Sequence, residues 1–210
     1  MFNRDRVTLR ARKYWQPLSQ RLGLDGALYE RLFTAYSEPH RHYHTLAHVV
    51  EMLDCLEESS ELARDRDMLS LAIWFHDAVY DSTAPHGGNE AASADLLARL
   101  YAGPDAAPAH AMILHSAHHG PSDDADTRLF CDLDLYRLAG SYETFLRHGD
   151  DVRREYAWID DADWAAGRAR FMARLQERPA IYQTDYWRDR LEAQAQSNIA
   201  RLLAGSGIGD

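Results

Sequence analysis

Leu71-Ala72-Ile73-Trp74-Phe75-His76-Asp77-Ala78-Val79-Tyr80-Asp81 sets the fold class of this chain. Its first five residues are consecutively apolar and continue a helical pattern that includes Met68 and Leu69. A helix apolar on every side is a buried helix, and this run falls far short of the about 18 residues a membrane span needs. The helix ends in His76-Asp77. A buried carboxylate left unpaired costs several kcal/mol at least, so Asp77 calls for an arginine, a metal or another cation unless the helix end is solvated.

Outward from that helix, both flanks keep helical spacing. Residues 4–22 carry Tyr14, Leu18 and Leu22 on one stripe, and residues 25–37 carry Leu28, Leu32, Phe33 and Tyr36, with Asp25 as N-cap. A further helix is expected from about Tyr43 to Glu58. Its apolar face is Leu46, Val49, Val50, Leu53 and Leu56, and His44 and His48 lie four apart on the seam beside Met52 and Cys55. Beyond the loop 82–88, Asn89 is expected to cap a helix with Glu90 in its first turn, where the dipole alone favours an acid. The segment His110–Gly120 reads as helical, with His115 and His119 on one face and His118 beside them. Asp123, Asp124 and Asp126 read as loop residues. A short helix follows over residues 129–138; Asp132 and Asp134, two apart, point to different sides, and at least one should have a cation. Residues 141–157, 161–176 and 185–204 are amphipathic; Arg153 and Arg154 in the first could reach an anion or pair with nearby acids. Strand patterns, repeats and linker-like stretches are missing. The expectation is one all-α domain, a single compact helical fold over residues 1–204 with a frayed tail at 205–210.

The chain of 210 residues is 46% hydrophobic, enough for a sizeable core, with a formal net charge of −10. That balance argues against nucleic acid or an anionic membrane as partner, since both are polyanions, but not against a small anionic substrate at a metal. No apolar signal core opens the sequence, and two cysteines, Cys55 and Cys131, suit a reduced compartment, so a cytoplasmic protein is expected. Of eleven histidines, all but His148 lie between His40 and His119. Histidine is the commonest metal ligand and the usual acid–base group near neutral pH, so the cluster points to a polar site.

In order along the chain stand His48, then His76-Asp77, then an aspartate at 132 or 134. This H…HD…D order resembles the HD superfamily of metal-dependent phosphohydrolases. The resemblance continues through Tyr43-His44-Thr45-Leu46-Ala47-His48, His76-Asp77-Ala78-Val79-Tyr80-Asp81, Asn89-Glu90, His119 and Asp132-Leu133-Asp134-Leu135, and looks like a bacterial branch of predicted HD phosphohydrolases. The Tyr-His-x-x-x-His piece is also similar to the catalytic stretch of class I cyclic-nucleotide phosphodiesterases. By position, the resemblance implies an HD-type fold with His48, His76, Asp77 and Asp134 as metal ligands, Asp132 being the alternative to Asp134. It implies His44 as the acid for the leaving oxygen, with Glu90 and His119 as further catalytic or second-metal candidates. The long tandem-His pattern of the cyclic-di-nucleotide hydrolases is incomplete, which speaks against a fixed two-metal centre.

Two imidazoles and two carboxylates with positions left for water suit Mn²⁺, Fe²⁺, Zn²⁺ or Mg²⁺. Such an ion lowers the pKa of water and neutralises charge building on a phosphoryl group. The expected activity is hydrolysis of a phosphate ester of a nucleotide or other small metabolite. The alternatives are an HD-fold di-iron oxygenase, with His115, His118 or His119 as extra ligands, and a module that holds metal and nucleotide without turnover.

Overall fold

The structure is a computed structural model that describes residues 4–101, 103 and 106–205. Among the described residues it is all-α, with ten α-helices and no strand. The helices are α1 (Arg4–Leu22), α2 (Gly26–Ala35), α3 (Leu46–Glu58), α4 (Arg66–Phe75), α5 (Gly88–Leu100), α6 (Ala106–Ser116), α7 (Ala125–Leu135), α8 (Tyr142–Glu155), α9 (Asp161–Gln176) and α10 (Asp185–Gly205). Two short 3₁₀ turns, Ser60–Leu62 and Tyr136–Ala139, join them. The chain divides into two compact units, Met1–Phe130 and Cys131–Asp210, the boundary falling inside α7. No helix is long and apolar enough to cross a membrane among the described residues. The tail expected to fray lies, from residue 206 on, outside the described residues.

In the first unit α4 is the central helix, packed against α1, α3, α5 and α6. That is why its sequence is apolar all round: every residue from Met68 to Phe75 is buried. Full burial of each large apolar side chain there stabilises by roughly 1.5–3 kcal/mol. An aromatic cluster closes one side, with the Trp15 and Trp74 rings edge to face at 5.1 Å and Tyr29 edge-on to Trp74 at 6.1 Å. The start of α4 is fixed twice. Asp65 accepts from the Asp67 and Met68 amides, and Asp126 accepts from the Arg64 and Asp65 amides at 2.8 Å each. Asp126 is therefore a buried helical residue, not the solvated loop acid expected, and Asp124 takes the N-terminal cap of α7 through the Thr127 amide and hydroxyl. Those bonds hold the Asp124 carboxyl below its usual range.

In the second unit α10 packs against α9 and the 136–139 turn. Buried Asn198 donates to the Leu138 and Gly140 carbonyls at 2.8 Å each, and Glu192 accepts from the Ile181 and Tyr182 amides. Arg153 is spent on the α8–α9 turn, donating to the Tyr156 and Ile159 carbonyls and to Asp161. Of the two readings given for it, the pairing one holds.

Candidate metal centre

Three elements deliver the centre. His48 stands in the first turn of α3, whose N-cap is Thr45, and its side chain is buried. His76 is the C-cap residue of α4, its amide donating to the Ala72 carbonyl, and Asp77 follows in the turn. One ligand atom from each of His48, His76 and Asp77 lies within 4.8 Å of the others. Imidazoles this deeply buried need defined partners: His48 is 1% and His76 2% exposed.

The protonation pattern of His76 follows from its contacts. Nδ1 lies 2.9 Å from the Ile73 carbonyl, which can only accept, so Nδ1 carries the proton and neutral imidazole presents a lone pair at Nε2. That Nε2 faces Asp77 Oδ2 at 2.9 Å. A lone pair against a carboxylate oxygen at that distance is repulsive unless a cation joins them, either a second proton on the imidazole or a metal beside both. Asp77 also sits just past the negative end of the α4 dipole, which disfavours an anion there by a further ~0.3–1 kcal/mol. A histidine that donates its far nitrogen to a backbone carbonyl is in the orientation metal-bound histidines adopt. Two donors on one ion at about 2.1 Å stand roughly 3.0–3.4 Å apart, close to the Nε2–Oδ2 separation. The donor set, two nitrogens and one carboxylate, fits a borderline divalent cation.

The turn bearing Asp77 is irregular, yet each carbonyl from Asp77 to Asp81 meets a side chain. Arg41 donates to the Asp77 and Ala78 carbonyls, Ser93 Oγ to the Val79 carbonyl, and Asn89 Nδ2 to the Asp81 carbonyl. His40 Nε2 lies 3.3 Å from the Tyr80 carbonyl. In return, Ser93 Oγ accepts from the Val79 amide and Asn89 Oδ1 from the Asp81 amide. Asn89 is thus not the N-cap expected. Gly87, left-handed at φ 77°, takes that position, and Asn89 turns its amide to the loop.

The remaining candidates stand as follows. His44 precedes the Thr45 cap, so it does not share a helix with His48 as the spacing suggested; the Pro39–Thr45 run is irregular and α3 begins only at Leu46. Its ring stacks on Tyr80, centroids 4.3 Å apart. Glu90 lies in the first turn of α5 and is half-buried. α6 stops at Ser116, earlier than expected, and His119 sits in a turn at φ 47°, so His115 and His119 share no helix face. His115 and His118 bind that turn: His115 Nε2 meets the Gly120 carbonyl and His118 Nδ1 accepts the Gly120 amide, both at 2.9 Å. His44, Glu90 and His119 are not members of the three-residue group.

Asp134, the ligand implied by resemblance, belongs to the second unit, in the last turn of α7. Its alternative, Asp132, is fully buried and already committed within that unit. Oδ1 accepts from the Gln183 amide at 2.6 Å, and Oδ2 from the Thr184 amide at 2.8 Å and hydroxyl at 2.6 Å. Burial raises its carboxyl to about 6, and these donors oppose the rise. Two backbone amides and a hydroxyl meet Asp132, and the Arg188 charge adds a smaller influence on it.

Sequence reasoning missed Arg41, Tyr80 and Ser93. Arg41 lies between the helices expected over 25–37 and 43–58 with no pattern to mark it, and Ser93 had no motif either. Comparison with known proteins gave no matching family model, curated protein or solved structure.

Proposed function

We propose that this protein is a metal-dependent phosphohydrolase that cleaves a phosphate ester of a nucleotide or small metabolite. The observation that carries the reading is the buried approach of His76 Nε2 to Asp77 Oδ2 at 2.9 Å, with His48 in the same group, which asks for a cation between donors that suit a divalent ion. The resemblance of the ordered His48, His76-Asp77 motif to the HD superfamily adds the reaction class. A divalent ion in this position supplies Lewis acidity to a phosphoryl oxygen and lowers the pKa of water.

The chain's own groups divide the remaining work. His48, His76 and Asp77 hold the ion, and the Ile73 carbonyl keeps the His76 proton on Nδ1 so that Nε2 stays a donor. His44, its ring steadied by Tyr80, is the proton donor to the leaving oxygen; general acids of this kind contribute typically 10²–10⁴-fold. Glu90 and His119 are further candidates to orient water or substrate.

The test is metal analysis of protein purified without chelator, followed by phosphate release from a panel of phosphorylated metabolites with Mn²⁺ present. Bound divalent metal and release lost in His76→Ala are expected. Two irons per chain without phosphate release would favour the oxygenase alternative, and metal without turnover would favour the binding module.

A further inference from the structure

Arg41 has a buried side chain, 1% exposed, and among the described residues one of its contacts is to a carboxylate: Nε donates to Glu38 at 2.9 Å. Its other polar contacts among the described residues are to backbone. Nη1 donates to the Asp77 carbonyl at 2.5 Å and the His44 carbonyl at 3.3 Å, and Nη2 to the Ala78 carbonyl at 3.2 Å. The Tyr36 and Tyr80 rings flank the guanidinium at 5.3 and 5.4 Å. Burying a guanidinium costs several kcal/mol, and a single half-exposed glutamate is meagre compensation. Its contacts have a common theme: they join the segment that enters α3 to the turn that leaves α4.

We propose that Arg41 is the positioning residue of the metal centre. This rests on the reading above that His48, His76 and Asp77 hold a divalent ion. The guanidinium is planar, with five donors in a fixed fork, so three carbonyls on two segments are set at fixed separations. Arg41 grips residue 77 through its main-chain oxygen, while the carboxylate of the same residue lies 2.9 Å from His76 Nε2. The same nitrogen that grips Asp77 also grips His44, so the ligand turn and the segment leading to His48 are set against each other. Tyr80, two residues past Ala78, stacks on His44 and extends the register to the proton donor. Lysine carries one compact ammonium and cannot make this set of contacts.

The test is the Mn²⁺ affinity of the purified full chain by calorimetric titration, for the wild type, Arg41→Lys and Arg41→Met. Leu32→Ala, a fully buried site on α2, is the control for lost stability. Outer partners of metal ligands typically matter by about 10–100-fold in affinity, and a loss of that size is expected in both Arg41 variants. Leu32→Ala, with a comparable drop in Tm, is expected to bind Mn²⁺ as the wild type does. Folded Arg41 variants with wild-type affinity, or an equal loss in Leu32→Ala, would overturn the positioning role. A wild type that binds no ion would overturn the site reading and this inference together. Should the variants fail to fold, the wild-type Arg41 Nε–H resonance decides: it is expected to shift on titration with Zn²⁺, and an unmoved resonance refutes the proposal.

Discussion

Ser93 and Asn89 do the same job on the same turn, one turn of α5 apart, but in different surroundings, and this difference can be measured. Ser93 is fully buried, with its hydroxyl accepting from the Val79 amide at 3.0 Å and donating to the Val79 carbonyl at 3.3 Å. Ser93→Ala leaves both groups without a partner where water has poor access. A buried unsatisfied donor or acceptor costs roughly 1–3 kcal/mol; the amide, with the shorter bond, should dominate, so a loss of about 2 kcal/mol is expected. For a chain of this length that is a fall in Tm of about 4–8 °C. Asn89→Ala also removes an accepting and a donating contact, to the Asp81 amide at 2.9 Å and carbonyl at 3.0 Å, but Asp81 is exposed. Water replaces the lost partner, and the expected cost is no more than about 0.5 kcal/mol. Urea denaturation followed by far-UV circular dichroism reads both. If Asn89→Ala costs as much as Ser93→Ala, burial is not what sets the strength of this clasp.

Two further expectations concern single residues. The Asp132 carboxyl, raised by burial from an ordinary value of 3.8 to about 6, binds its proton more tightly folded than unfolded, so its contribution to stability is greatest at acid pH and declines as pH rises from about 4 to 6. A shift of that size corresponds to about 3 kcal/mol; stability curves of wild type and Asp132→Asn should converge or cross over that window, and parallel curves would contradict the burial account. Gly87→Ala should destabilise by about 1–2 kcal/mol because φ is 77° there, although the new Cβ would meet only Ala117 Cβ at an ordinary 3.8 Å. A thermal melt unchanged by that substitution would remove backbone strain as the reason for glycine at the head of α5.

How much of this was legible in the sequence depends on whether a feature is local. α4 declared itself because five apolar residues in a row continue the helical pattern of Met68 and Leu69, which marks an enclosed helix, and α1, α3, α5 and α6 enclose it. His76-Asp77 was legible because a carboxylate next to such a helix needs an explanation. The pairing of His44 with His48 on one helix was misread, since spacing alone does not show that Thr45 caps the helix between them. His119 was misplaced for a similar reason: α6 stops at Ser116 and the backbone turns left-handed at His119 instead of running as helix to Gly120. Arg41, Ser93 and Asp132 act on backbone atoms 14 to 52 residues away, and no periodicity encodes such contacts.

The turn from Asp77 to Asp81 has a consequence for how the protein is made. Its carbonyls are met by side chains from positions 40, 41, 89 and 93, and not by a neighbouring strand or by its own helix. During synthesis positions 40 and 41 have already emerged, but Val79 and Asp81 meet Ser93 and Asn89 only once α5 has emerged and docked, so the ligand turn should be completed only at that point. Transplanting residues 71–81 alone into another helical scaffold would carry the histidine and the aspartate across, but not the means of keeping them aimed.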